Sequence, residues 1–122
     1  MNTHLDALET RAPAEREAAL LAALPTQIAH AQKNAPALAE ALKGINASDI
    51  TSRAALAKLP VVRKYELLEK QKASRAAGGS VFGGFSAVAF GKHMPRVFSS
   101  PGPIYEPEGA RTPFSCSMSE LA

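Results

Sequence analysis

Residues 20–44 read LLAALPTQIAHAQKNAPALAEALKG, and their apolar spacing decides the first half of the fold. Leu20, Leu24 and Ile28 fall at i, i+4 and i+8, with Leu21 and Ala31 beside them, so they line one stripe of an α-helix. Upstream, Pro13 suits a first helical turn, and Glu15 and Glu17 lie where the helix dipole favours negative charge. Pro25 interrupts the stripe; it has no N–H to donate, which predicts a bend or a split there. Asn34-Ala35-Pro36 opens a second piece that puts Leu38 and Leu42 on one face, and Gly44 terminates it.

Reading outward, Thr51 or Ser52 caps a turn through Ala57 that Pro60 closes. Lys64 to about Lys72 reads as a helix with Tyr65, Leu68 and the Lys72 stem on one side. The helical pattern ends between Ala76 and Phe85, where Gly78, Gly79, Gly83 and Gly84 are too many for a regular element. Ser86–Phe90 and Arg96–Ser99 read as two short strands around Gly91–Pro95, a hairpin-like pair. SSPGPIYEPEG, residues 99–109, is dense in Pro and Gly and reads as loop. The expected fold is mainly α with a short β hairpin-like C-terminal part. Its zones are a helical segment over 1–75, a Gly-rich link with short strands over 76–109, and an irregular tail over 110–122. Helices are expected over most of 13–72, with the faces of Leu20, Leu24, Ile28, Leu38 and Leu42 partly exposed.

A chain of 122 residues suits one domain, and 46% apolar residues exclude wholesale disorder. Aromatic residues are only 6% and Trp is absent, so the core must come from Ala, Leu, Val and Ile. A net charge of +3 is too small to imply a polyanionic partner by itself. The charge is uneven, however: residues 1–50 carry −2, whereas Arg53 to Arg75 hold seven basic residues against Glu66 and Glu69, a net of +5. The single Cys116 excludes an internal disulfide and argues against a cysteine zinc site. No run approaches 18 apolar residues and the start lacks a basic-then-apolar pattern, so a soluble, cytoplasmic, membrane-free protein is expected.

Few side chains suggest chemistry. His4, His30 and His93 share no metal-ligand spacing, and Cys116 has no base near it in sequence. Glu106 and Glu108 flank Pro107 and could hold a cation, although a solvated turn is the simpler reading. The basic run could touch phosphates, but Tyr65 is its only interleaved aromatic, so a solvated helical face is preferred to a nucleic-acid surface. The most informative piece is Ser99-Ser100-Pro101-Gly102, where a strand runs into two hydroxyls and a glycine. Glycine permits close backbone approach, and such a turn can aim N–H groups and hydroxyls at a phosphate. The Walker-type loop is excluded because no GxxxxGK pattern is present.

Taken in order, LPTQIAHAQKNAPALAEALKG (24–44), DITSRAALAKLPVVRKYELLEKQ (49–71), the Gly-rich link and RVFSSPGPIYEPEG (96–109) resemble one known family. They look like the N-terminal region of phenylacetate–coenzyme A ligase-like adenylate-forming enzymes. The family segment "sLxdLxxLPxxxKxxL" is matched by Thr51 to Leu67, with Leu59-Pro60 and Lys64 at the telling positions. Ser99 and Ser100 match the opening serines of its ATP phosphate loop, and Gly102 matches the first glycine if Pro101 is an insertion. Pro103 and Ile104 replace the central threonines and Tyr105 the second glycine, while Glu106-Pro107 stands where Lys-Pro is usual.

The resemblance implies an α/β adenylate-forming fold and ATP-dependent ligation of an aryl carboxylate to coenzyme A through an acyl-adenylate. It implies ATP, Mg²⁺ and coenzyme A as cofactors, and Ser99, Ser100 and Gly102 as nucleotide-binding residues. No catalytic or metal-ligating residue is assigned. The adenine-binding segment, the acid that contacts ribose and the catalytic lysine should lie beyond residue 122. ARTPFSCSMSELA, residues 110–122, has neither an amphipathic period nor a family likeness. The expectation is therefore an incomplete N-terminal piece with a truncated or out-of-frame tail, inactive alone. Its partners would be the remainder of the ligase or a second copy, through exposed helix faces. The alternatives are a small basic helical module that binds nucleic acid or protein, or a gene remnant without function.

Overall fold

The computed structural model describes His4, residues 6–91 and residues 94–108. Its elements are α1 (Pro13–Asn34), α2 (Pro36–Ala41), a 3₁₀ turn (Ala47–Asp49), α3 (Arg53–Leu56), α4 (Lys64–Ala76), β1 (Val97–Ser100) and β2 (Ile104–Pro107). The described chain is thus mainly helical with an antiparallel hairpin near its C-terminal end. None of these helices is long and apolar enough to cross a membrane. The chain divides into two compact units, residues 1–29 with 44–59, and residues 30–43 with 60–122.

In the first unit, α1 carries Glu15 in its first turn, as the helix dipole favours. Pro25 does not split the helix, which runs unbroken for 22 residues. A proline in a helix interior removes one backbone bond and crowds the preceding turn, but the hydrogen bonds on either side of it persist. Ser52 caps α3 by accepting from the Ala55 N–H at 3.1 Å. Of the apolar stripe in this unit, Leu20 is 63% exposed, Leu24 is half-buried and Ile28 is buried. Ile50 is buried as well.

In the second unit, Leu38 is half-buried, whereas Ala35, Leu42, Phe82, Met94 and Ile104 are buried. Ala37 donates its N–H to the Gly84 carbonyl at 2.9 Å, tying α2 to the glycine-rich link. On the side of α4 that carries Tyr65, Leu68 and Lys72, Leu68 is half-buried. Tyr65 is 63% exposed and Lys72 is exposed, while Gln71 is 1% exposed. A polar residue anchors this helix because its amide has backbone partners, described below.

The hairpin lies one strand later than the sequence suggests. Ser86–Phe90 contains no strand. The Ser86 Oγ donates to the Val88 carbonyl at 2.6 Å and accepts from the Val88 N–H at 3.1 Å, a local turn that competes with ladder pairing. Arg96–Ser99 does supply most of β1, but its partner is β2, drawn from residues expected to be loop. Val97 pairs with Pro107, Phe98 with Glu106, Ser99 with Tyr105 and Ser100 with Ile104. Pro101-Gly102-Pro103 makes the connection, with Gly102 at φ +119°, a region L-residues rarely enter. Pro and Gly therefore mark the turn of the hairpin, not an absence of strands.

Candidate functional site

The hairpin and α4 form the best-defined polar arrangement among the described residues, and both belong to the second unit. The Glu108 N–H donates to the Arg96 carbonyl at 2.9 Å, which extends the ladder register by one pair. Hydrogen-bonded and non-hydrogen-bonded pairs alternate along an antiparallel ladder. Phe98–Glu106 and Ser100–Ile104 are therefore hydrogen-bonded pairs, and the backbone groups of Ser99 and Tyr105 point away from the partner strand.

Gln71 covers the outward edge at Tyr105. Its Nε2 donates to the Tyr105 carbonyl and its Oε1 accepts from the Tyr105 N–H, each at 2.9 Å. Arg75, one turn further along α4, stacks its guanidinium over the Tyr105 ring at 4.7 Å. The first turn of α4 reaches the connection: Lys64 Nζ donates to the Pro101 carbonyl at 2.8 Å. At the open end of the hairpin, Arg96 forks onto Glu108, with Nε to Oε2 at 3.1 Å and Nη2 to Oε1 at 3.0 Å. Glu108 is 4% exposed, so the solvated turn expected for Glu106 and Glu108 is not what forms. Glu106 lies in β2 and is exposed, while Glu108 is a buried acceptor for a bidentate guanidinium.

The residues expected to bind nucleotide sit together here. Ser99 and Ser100 end β1, the first exposed and the second half-buried, and exposed Gly102 occupies the turn. Only Gly102 belongs to the turn itself. Sequence reading missed Gln71, whose polar side chain left no trace in the apolar pattern. It also missed the Arg96–Glu108 pair, although the two stand equidistant from Gly102 with opposite charges.

The other candidates are dispersed. His4 Nδ1 lies 3.7 Å from Glu9, and His30 Nδ1 lies 3.1 Å from Asn34 Nδ2. His93 and Cys116 fall outside the described residues. Within the basic run, Arg53 pairs with Glu17, Lys72 bonds Glu69 at 2.9 Å, and Lys70 lies 5.5 Å from the Phe85 ring centre. Glu17 raises the Arg53 guanidinium above its ordinary pKa, first through the hydrogen bond and then through its charge. Recesses among the described residues of the second unit include a cleft and a groove. A cleft of about 320 Å³ beside β2 is lined by Leu67, Phe82, Phe85, Tyr105 and Pro107. An open groove of about 780 Å³ runs past Lys33, Pro36, Ser80, Val88 and Phe90. The chain matches no protein-family model, no curated protein and no solved structure.

Proposed function

We propose that this chain is kin to the N-terminal region of phenylacetate–coenzyme A ligase-like adenylate-forming enzymes, and that its hairpin turn is the counterpart of their ATP phosphate loop. One observation supports this reading above others. Two of the segments on which the resemblance rests, Thr51–Leu67 and Ser99–Gly102, meet at Lys64 Nζ and the Pro101 carbonyl, 2.8 Å apart. Their chemistry suits a phosphate: hydroxyls at Ser99 and Ser100, a glycine with no side chain in the way, and an ammonium alongside.

In such enzymes an aryl carboxylate attacks the α-phosphate of ATP, pyrophosphate leaves, and coenzyme A then displaces AMP to give the thioester. The part proposed for these residues is to hold and orient the phosphate chain, whose charge Mg²⁺ shares when bound. A cytoplasmic location goes with that reading.

The rival is a basic module that binds nucleic acid or a partner protein. Most of the cations on which it would depend are engaged within the chain: Arg53 with Glu17, Lys72 with Glu69, Lys70 on Phe85 and Arg75 on Tyr105. That favours the phosphate reading over a phosphate-backbone surface.

Titration of the ¹⁵N-labelled chain with Mg-ATP tests the proposal. The amides of Ser99, Ser100 and Gly102 are expected to shift with a dissociation constant in the millimolar range, near −4 kcal/mol. The adenine pocket that would add stacking and apolar burial is not among these residues. Hairpin amides that stay still while the protein is retained on DNA in a salt-dependent manner would replace the ligase reading with the rival.

A further inference from the structure

We propose that Lys64 supplies the cationic contact to a phosphate at the tip of the hairpin, the charge that the turn itself lacks. The inference rests on the phosphate-loop reading and extends it to a residue outside the loop. From Val97 to Pro107 the hairpin contains no Lys or Arg, and Glu106 adds a negative charge. Pro101 and Pro103 have no N–H and the Ser100 backbone faces Ile104, so the tip offers two hydroxyls and the N–H groups of Ser99 and Gly102 but no cation. Helix α4 brings one from 37 positions earlier in the chain.

The geometry places the ammonium at the tip. A Cβ added at Gly102 would lie 3.6 Å from Lys64 Cε and 3.8 Å from Nζ, so the lysine lies against the one turn residue without a side chain. An ammonium has three donors and the Pro101 carbonyl takes one of them. Among the described residues, no carboxylate lies within ion-pair distance of Lys64, whereas Arg53, Lys72 and Arg96 each have one. The nearest acid in sequence, Glu66, accepts from the Arg63 N–H at 2.9 Å and caps the helix instead. The Ser99 and Ser100 hydroxyls likewise have no intramolecular partner among the described residues. A charge held by a neutral carbonyl at the hairpin tip matches the way a lysine meets a phosphate, as a point charge without the planar fork of arginine.

A purely structural role for Lys64 would be to anchor the hairpin through Pro101, and the experiment separates the two. Inorganic triphosphate is titrated into the labelled chain while the Ser99, Ser100 and Gly102 amides and the Lys64 Cε–Hε resonances are followed. The Lys64 resonances should move with the same dissociation constant as the amides. Lys64→Gln should weaken binding about threefold to fivefold, the size of one exposed charge contact, and Lys64→Arg should restore most of it. Cross-strand contacts between Ser99 and Tyr105 report whether the hairpin survives in each variant. Amides that move in the unaltered chain while the Lys64 resonances stay fixed would overturn the role of Lys64 and leave the phosphate loop standing. An intact Lys64→Gln hairpin that binds triphosphate as tightly as the unaltered chain would overturn that role as well. No response to triphosphate anywhere on the hairpin would overturn both.

Discussion

Gln71 Nε2 and Oε1 each lie 2.9 Å from the backbone of Tyr105, so a single side-chain amide in α4 pairs with β2 as a neighbouring strand would. A primary amide presents a donor and an acceptor side by side, which is what the outward edge of a strand offers in reverse. The edge is thereby closed without a third strand, and Gln71 is buried with both polar atoms satisfied.

Replacing Gln71 by Ala removes both bonds and leaves the Tyr105 N–H and carbonyl short of partners. The cost expected from urea unfolding is about 2–4 kcal/mol, two hydrogen bonds together with partial desolvation of their orphaned partners. Gln71→Glu keeps the shape but sets an acceptor against the Tyr105 carbonyl. It should destabilise at neutral pH and recover in acid, where the protonated carboxyl donates again. A pH-independent loss for Gln71→Glu would show that shape, not the donor, is what matters.

Gly83 should be the least replaceable glycine of the link. Its φ is +59°, and a Cβ there would lie 3.0 Å from the Gln71 nitrogen and 3.1 Å from its Cα, backbone atoms of α4 that have no room to retreat. Gly44 has φ +79° with nothing within 4 Å of such a Cβ. Gly44→Ala therefore incurs only the left-handed backbone penalty, about 1–2 kcal/mol, whereas Gly83→Ala adds a clash. Thermal melts of the two variants should differ clearly, with Gly83→Ala melting lower; equal melting temperatures would mean that the close approach costs nothing.

The helices are legible in the sequence because Leu20, Leu24 and Ile28, then Leu38 and Leu42, repeat at the helical period, and because Ser52 and Pro60 mark the limits of a short turn. The hairpin is half legible. Arg96-Val97-Phe98 declares a strand, but Ile104-Tyr105 sits between prolines, and composition alone assigns it to loop. Its outward edge is met by Gln71, whose contribution comes from 34 positions away and through polar atoms that no apolar periodicity registers. Ser86–Phe90 has the residues of a strand, yet the Ser86 hydroxyl closes on Val88 before any ladder can form. At the candidate site, the motif alone points to Ser99, Ser100 and Gly102. Lys64 stands out in the sequence only for its place in a pattern, and the reach that brings it to Pro101 is a property of the fold.

Arg96 and Glu108 close the open end of the hairpin, and their exposures differ: the Glu108 side chain is 4% exposed and the Arg96 side chain 47%. Arg96→Ala strands a buried carboxylate and should cost about 1–3 kcal/mol, below the full value for a buried pair because water reaches the arginine side. Glu108→Gln made in the Arg96→Ala background should recover part of that loss, since it removes the unpaired charge. A double variant no more stable than Arg96→Ala would place the loss in the contact of the Arg96 guanidinium with the Phe98 ring, 5.7 Å from its centre.

Glu106 offers the most direct electrostatic test of the proposed phosphate site. It is exposed in β2, paired with Phe98, and so belongs to the same hairpin as Ser99, Ser100 and Gly102. A carboxylate there opposes an incoming phosphate. Glu106→Lys reverses that charge without touching the turn, and because the side chain is exposed the ladder pairing should be unaffected. Inorganic triphosphate should then bind about threefold to tenfold more tightly at low ionic strength, as two units of charge change near the anion. The gain should shrink as salt is raised, because the Debye length falls to about 10 Å at 0.1 M. Titrations at two salt concentrations check this. Equal affinity for both proteins at low salt would place the bound anion outside the reach of Glu106, and with it away from Ser99, Ser100 and Gly102.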